Sequence, residues 1–592
     1  MVMKTYFKTV YRMFRQHIIR FINIIAIIIV SIGFMSGIGE VDKRIEVAFD
    51  GQYKRQNISD IFIKGSFTRE QCLLIEENMS RWGLKDIKYA LSYDSEIGED
   101  IVRFYFMDLG DVPLNKFDLV EGFLPNDYNE VVVERKTDLI KGYEIGEIIE
   151  LELNGAHVSY EVVGIIENPL ILIKKEEPSY LDSERSINNV IYFSMTPPQV
   201  TDVYLTLEDR TLFDSFSSAY EDRINGLKAS INELLPEATV LGLAENYAIS
   251  SLLAYADKVG LISIIFVIFF LLVTALVVFS NMTRLIDEER AQIACLKTLG
   301  FSGFKILLKY LLFIGIATVL GALLGLPVGL ILTAAIYNSF KTRYLLPKMP
   351  GGGGYLYFIF SFLIILISSI LVTLFAGMKT TGTKPAMLLV PKAPSAGKKT
   401  LLEKIPFIWN RFSFKYKSSI RNVFLFKSRF FMTVISVIGS TILVLAGFGL
   451  LDCILKNEMA AVISMISVAL IVFSGVLCVL VVYNIASISI SERNREIATL
   501  KVLGYHNKEV VGYIFREIFI TNLIGAILGI PLGYFFLDFV FNLVDIGTTA
   551  DVNWWTWIVA PAFTLVFTAI TIGLLNKKIV KVDMNSSLKA VE

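Results

Sequence analysis

EERAQIACLKTLGF, from Glu288 to Phe301, and ERNREIATLKVLGY, from Glu492 to Tyr505, are two copies of one charged segment. Each copy follows a membrane-length apolar run and precedes another that carries Gly-Ala-x-Leu-Gly-x-Pro-x-Gly. In the first copy that pattern is Gly321, Ala322, Leu324, Gly325, Pro327 and Gly329. In the second it is Gly525, Ala526, Leu528, Gly529, Pro531 and Gly533. One shift of 204 residues superimposes both the charged segment and the glycine pattern without a gap. The chain therefore contains an internal duplication of a membrane unit.

Composition agrees with that reading. Of the 592 residues 54% are hydrophobic and only 19% charged, and apolar runs of membrane length recur. A net charge of zero conceals a strong asymmetry. Asp42 to Asp257 carries 40 Asp/Glu against 20 Lys/Arg, whereas Gly377 to Arg429 carries 12 Lys/Arg against the single acid Glu403. The four cysteines (Cys72, Cys295, Cys453, Cys478) lie far apart without metal-like spacing, so neither a disulfide framework nor a metal site is indicated.

The expected fold class is an α-helical polytopic membrane protein, eight spans in two repeated four-helix units, with one extracytoplasmic α+β domain. Residues 1–20 hold Lys4, Lys8, Arg12, Arg15 and Arg20 among aromatics and no acid, as an amphipathic cytoplasmic segment does. The apolar run that follows is the first span, within 21–41, and is read as a retained helix because no small-residue cleavage site follows it. Residues 42–257 form the outer domain, with strands at DIFIKG (Asp60 to Gly65), IVRFYF (Ile101 to Phe106) and EVVVE (Glu130 to Glu134). Asn154-Gly155 marks a hairpin turn, and helical periodicity runs over Arg69 to Arg81 and Leu212 to Leu235. Residues 258–376 hold spans two to four, 377–429 form a basic linker with Pro385, Pro391, Pro394 and Pro406, 430–575 hold spans five to eight, and 576–592 are the tail. The lysine- and arginine-rich N-terminus, linker and tail place both termini and both charged segments in the cytoplasm, and the acidic domain outside. Lys341, Arg343 and Lys348 fall in an outer loop and run against that rule.

On a helix, Ile293, Leu296, Leu299 and Gly300 form one side of the charged segment, with Glu288, Gln292 and Lys297 mostly elsewhere. Ile497, Leu500, Leu503 and Gly504, with Glu492, Glu496 and Lys501, repeat the arrangement. A short element pinned between two spans can plug into a soluble partner and carry its motion; the bland alternative is a solvated helix obeying the usual charge bias at membrane ends. Glycines four apart (Gly321/Gly325/Gly329, Gly525/Gly529/Gly533) allow close helix approach, and Pro327 and Pro531 allow a kink at matching depth. No catalytic residue, cofactor-binding residue or metal ligand is expected. His17, His157 and His506 lack a nearby acid and nucleophile, and Gly397-Lys398-Lys399-Thr400 lacks the first glycine of a phosphate loop. Lys309, Arg516 and Glu517 near the inner span ends read as side chains reaching for the interface.

NMTRLIDEERAQIACLKTLGF and SISERNREIATLKVLGYHNKEVVGYIFRE resemble the cytoplasmic coupling segments of FtsX-like permeases of the MacB type. RNVFLFKSRFFMTVISVIGSTILVLAGFGLLD (Arg421 to Asp452) is similar to the start of the second half in two-module bacterial members. The resemblance implies a non-enzymatic ABC-transporter permease in the bacterial cell membrane. ATP and magnesium would be bound by a separate ATPase, two copies per chain, and no nucleic acid would be involved. It implies that Glu288, Gln292, Ile293, Leu296, Lys297 and Gly300, with Glu492, Glu496, Ile497, Leu500, Lys501 and Gly504, dock on that ATPase. Movement of the outer domain would then serve export of, or resistance to, amphipathic or peptide compounds. The alternatives are mechanical regulation of an extracellular partner such as a cell-wall hydrolase, or extraction of lipid or lipoprotein from the outer leaflet.

Overall fold

A computed structural model describes residues 2–110, 113–136, 140–153, 156–172, 178–182, 184–213, 215, 217–351, 355–389, 403, 407, 410–411, 413–425, 427–456 and 460–580. Outside these lie the Asn154-Gly155 turn, Pro391, Pro394 and Pro406 of the linker, the stretch 397–400 and the tail beyond 580. The side chain of Glu492 is also outside the description.

The chain opens with α1 (Val2–Gln16), α2 (Ile18–Gly39) and α3 (Val41–Gln56). Then come β1 (Ile61–Phe67), α4 (Arg69–Trp82), β2 (Leu84–Ile97), β3 (Asp100–Met107), β4 (Asp118–Gly122) and β5 (Glu130–Glu134). They are followed by β6 (Ile148–Leu153), β7 (Ala156–Glu167), β8 (Asn189–Ser194), β9 (Val200–Leu207), α5 (Ser218–Leu234) and β10 (Thr239–Gly242). The first half closes with α6 (Tyr247–Glu288), α7 (Arg290–Thr298), α8 (Gly303–Arg343) and α9 (Tyr355–Gly382). After α10 (Pro385–Leu389) and α11 (Phe414–Leu425), the second half is α12 (Lys427–Lys456), α13 (Ala460–Glu492), α14 (Asn494–Val502), α15 (Asn507–Val544) and α16 (Thr556–Val580).

Eight of these helical stretches are long and apolar enough to cross a membrane. Helices are what such sequences must form, since lipid offers no partner to an unpaired backbone group. Several run well past the apolar core. The stretch Ile18–Gln56 has 39 residues, α6 has 42 and α8 has 41. The chain separates into two compact units. One comprises Met1–Glu40, Val259–Ile336 and Gly354–Glu592; the other comprises Val41–Lys258 and Tyr337–Gly353.

In the membrane unit, α2 and α8 meet through glycine. A Cβ on Gly321 would fall 2.6 Å from Ile28, one on Gly329 would fall 2.3 Å from Ser36 Oγ, and Gly325 faces the Ile29 carbonyl and Gly33. The α2 residues Gly33 and Gly37 face Val328 and Leu332 in return. In the second half Gly525 packs on Val437 and Gly529 on Thr441, both at 2.8 Å from an added Cβ, whereas Gly533 has 3.4 Å to Leu445. Pro327 and Pro531 are exposed on the opposite side and lie inside unbroken helices. The halves touch through reciprocal elements. Phe34 of α2 contacts Phe473 of α13, and Val273 and Phe269 of α6 lie against Gly439 of α12.

The other unit is built on a ten-stranded sheet, ordered β10-β1-β9-β2-β3-β8-β5-β7-β4, with β6 also paired to β7. The β3/β8 and β5/β7 pairs are parallel and the rest antiparallel. Alternation places Val102, Phe104 and Phe106 of β3 with Val131 and Val133 of β5 and Ile191 and Phe193 of β8 in one core cluster, as a two-residue period requires. The helix α4 starts at a Thr68/Gln71 capping box and ends at Gly83, whose φ of +68° closes it. The helix α3 is fastened to the sheet through Asp60, which accepts from Tyr53 Oη, from Tyr220 Oη at 2.7 Å and from Leu207 N at 2.8 Å. Tyr337–Gly353 belongs here too: Leu345 N donates to Leu172 O at 2.7 Å and Arg44 Nη1 to Pro350 O at 3.0 Å.

Candidate functional site

The repeated charged segments form α7 and α14, nine residues each, and both end in the same way. Gly300 N donates to Lys297 O at 3.0 Å and Phe301 N to Leu296 O at 3.1 Å. In the second copy Gly504 N donates to Lys501 O and Tyr505 N to Leu500 O, each at 3.1 Å. This is a Schellman stop, which needs a residue in the left-handed region; Gly300 at φ +87° and Gly504 at φ +90° supply it.

The inward faces also match. Ile293 and Ala294 are buried, as are Ile497 and Ala498, while Leu296 and Leu500 are half-buried. Lys297 Nζ donates to Thr383 O at 2.7 Å, just beyond the end of α9. Lys501 Nζ donates to Val580 O at 3.0 Å, at the end of α16. Each lysine thus caps the last helix of its own half, where orphan carbonyls and the negative end of the helix dipole favour a cation. Arg290 Nη2 adds a bond to Met387 O at 3.2 Å in α10. Glu288 pairs with Arg20 of α2, and Gln292 and Glu496 are exposed.

The outward surface differs from the face read off the sequence. Leu299 lies beyond the last helical residue and is 74% exposed, and Leu503 is 69% exposed, so neither belongs to the buried side. Phe304 beside the first turn, and Val502 and Tyr505 at the second, are exposed as well. Each segment therefore ends in a bare apolar knuckle on a firmly held helix.

Beneath each segment sits a buried ion pair that the sequence reading did not find. Lys309 Nζ of α8 bonds Glu289 Oε2 at 2.7 Å, with Tyr310 Oη at 2.7 Å on the same oxygen and His17 Nε2 3.5 Å from Oε1. Burial works to raise the Glu289 carboxyl, but His17, Lys309 and Tyr310 outweigh it and hold the group below its ordinary value. In the second half Arg493 Nη1 lies 2.6 Å from Glu517 Oε2 of α15. Lys309 and Glu517 are therefore paired inside the fold, a correction to the expectation that they reach for the interface. Arg516 is half-buried, with its Nε on Gly512 O at 2.8 Å. The 204-residue shift places Glu289 on Arg493 and Lys309 on Tyr513, one helical turn before Glu517, so each half holds a buried pair of opposite polarity at this joint. A charge in each segment, facing an opposite charge on the following span in both copies, was the signal available. Among the described residues no group of three or more His, Cys, Asp or Glu is placed to hold a metal ion.

A family model described as the FtsX-like permease C-terminal domain matches the chain twice, over residues 264–385 and 468–584. Both halves of the chain carry an FtsX-like permease C-terminal domain. Each match spans one of the short charged helices, one buried ion pair and one glycine pattern, so the chain carries this domain in both halves. Such permeases are the membrane component of ABC transporters and work with an ABC ATPase subunit. No curated protein matches the chain. Among solved structures, it is similar to the extracellular domain of the noncanonic ABC-type transporter YknZ from Gram-positive bacteria. That similarity has 15% identity, covers 31% of this chain and 99% of that one, and has a TM-score of 0.19.

Proposed function

We propose that Leu299 with Phe304, and Leu503 with Val502 and Tyr505, are the two knuckles that seat in the ATPase, one subunit on each half, on the cytoplasmic side. Exposed apolar groups on a short, rigidly held helix carry this reading, because a lever must be stiff along its length and sticky at its end. The lysine caps and ion pairs make each segment move with the spans around it. The predicted docking set divides accordingly: Lys297, Lys501, Ile293, Ile497, Leu296 and Leu500 hold the lever, while Gln292 and Glu496 flank the contact.

Power would reach the extracytoplasmic sheet domain through the first half. The helix α6 is continuous from Tyr247, inside the sheet unit, to Glu288, one residue from the coupling helix region; at 1.5 Å per residue it is about 63 Å long. The second half carries no such insert and would act as the counter-support. The work done is export of, or resistance to, amphipathic or peptide compounds. A second reading, switching an extracellular protein, is favoured by β4, which is exposed throughout at the sheet edge with Leu119 and Val120 uncovered and Phe123 just beyond.

The test is co-purification with the ABC ATPase encoded beside this chain, using Leu299→Asp, Leu503→Asp and the double variant. Each single variant is expected to halve the bound ATPase and the double to abolish it, with the permease's melting temperature unchanged. Full ATPase binding by the double variant would sink the proposal.

A further inference from the structure

We propose that the sheet unit holds a binding site for a hydroxyl-bearing phosphate, of the glycerophosphate type. A cavity of about 440 Å³ opens between the end of α3, the β7 exit at Glu167–Pro169 and the stretch Lys341–Lys348. That size is within the about 300–1,000 Å³ range of small-ligand sites. Its charged lining is Arg55, Arg135, Lys341 and Lys348 against Asp118 and Glu167, a formal +2. Both carboxylates are already engaged, Asp118 by Arg55 at 3.4 Å and Glu167 by Arg135 at 2.5 Å. A positive pocket stands out in a domain where acids outnumber bases two to one over residues 42–257. It also accounts for Lys348, whose placement runs against the charge rule for outer loops: a local anion is a reason to keep it.

The polar floor names the rest of the ligand. Gln52 and Gln56 are at least nine-tenths buried and line the cavity, and the Oε1 of each lacks a hydrogen-bond donor. The Gln56 amide is oriented by its own Nε2, which donates to Asp118 Oδ2 at 3.2 Å, so its carbonyl remains an acceptor. Buried acceptors without donors are costly, and a ligand hydroxyl satisfies them. Leu172, Leu346 and Pro347 give the same cavity an apolar wall, suited to the glycerol carbons and the start of an acyl chain. Phosphate oxygens for the cations and hydroxyls for the glutamines describe one headgroup, which a membrane lipid or a free polyol phosphate could supply.

The test uses the full chain in an uncharged detergent, without ATP or ATPase, so that its failure leaves the coupling proposal untouched. Binding of dihexanoyl-phosphatidylglycerol, glycerol 1-phosphate and dihexanoyl-phosphatidylcholine is measured by thermophoresis. Phosphatidylglycerol is expected to bind in preference to phosphatidylcholine, and Lys348→Glu, at an exposed position, to weaken it at least about tenfold. Gln52→Leu is expected to weaken it too without changing the salt dependence. Binding of glycerol 1-phosphate as well identifies the headgroup alone as sufficient; binding of the lipid alone identifies a lipid site. Equal binding of both lipids overturns the proposal. So does unchanged phosphatidylglycerol affinity in Lys348→Glu, or in Lys341→Gln should the first variant lower the melting temperature.

Discussion

Replacing Lys309 by methionine removes one charge from beneath α7 and leaves the other in place. Glu289 and Lys309 are 3% and 1% exposed and stand 2.7 Å apart. Removing one partner of such a pair costs about 3–5 kcal/mol, because the survivor keeps a buried, uncompensated charge. Here Tyr310 and His17 still face Glu289, and a hydrogen bond to a charged group is worth about 1.5–3 kcal/mol, so the expected loss lies near the lower bound, about 3 kcal/mol. Adding Glu289→Gln removes the stranded charge, and the double variant should lie only about 1 kcal/mol below the parent, recovering about 2 kcal/mol of the single variant's loss. The assay is hydrogen exchange of residues 290–301 with the chain in lipid nanodiscs. If local opening governs exchange, Lys309→Met should speed these amides on the order of a hundredfold and the double variant should recover most of that. Equal exchange in the single and double variants would refute the reasoning, since the pair would then contribute nothing that an unpaired carboxylate does not.

Gly321→Ala puts a methyl 2.6 Å from Ile28 and should lower the melting temperature, whereas Gly533→Ala, whose methyl would make an ordinary 3.4 Å contact with Leu445, should leave it nearly unchanged. Thermal melts of the two in the same detergent make the comparison. Gly300→Ala meets open space, so its cost is the left-handed backbone alone, about 1–2 kcal/mol, read as faster exchange in the last turn of α7 with global stability retained. In the sheet unit, burial pushes the Glu134 carboxyl up to about 8, against the hydrogen bonds from Tyr192 Oη and Asn168 N. A carboxyl raised on folding adds stability that is complete below its unfolded value and is lost as pH rises through the folded one. Urea resistance of the sheet unit, followed by proteolysis, should therefore fall by a few kcal/mol between pH 5 and pH 8.5, and Glu134→Gln should flatten that dependence.

The eight spans were legible because lipid leaves an apolar run of that length one option. Their true helical lengths were not, since α6 begins at Tyr247 and α8 ends at Arg343 among polar residues that hydropathy does not register. Strand positions followed from local patterns such as EVVVE, but the neighbours of β1 are β9 and β10, more than a hundred residues away, and no local pattern encodes that choice. Gly300 and Gly504 were visible as repeated letters, and only the backbone shows them as stops. Leu299 read as sharing a side with Ile293 and Leu296 because the helical period was carried one residue past the helix end. Lys309 and Glu517 were misread because an ionisable residue near a span end has two outcomes, exposure or pairing, and the partner lies 20 or more residues off across a turn.

The opposite polarity of the two buried pairs bears on how a duplicated chain finds its own topology. Two halves that share a glycine seam and a helix stop offer every nascent segment two similar sockets. Seating α7 against α15 would bring Glu289 towards Glu517, and seating α14 against α8 would bring Arg493 towards Lys309. Both wrong unions set like charges together in a dry interior, where their repulsion is least screened. The inverted pair acts as a lock with two different keys, so that duplication could double the module without doubling the ways to misassemble it.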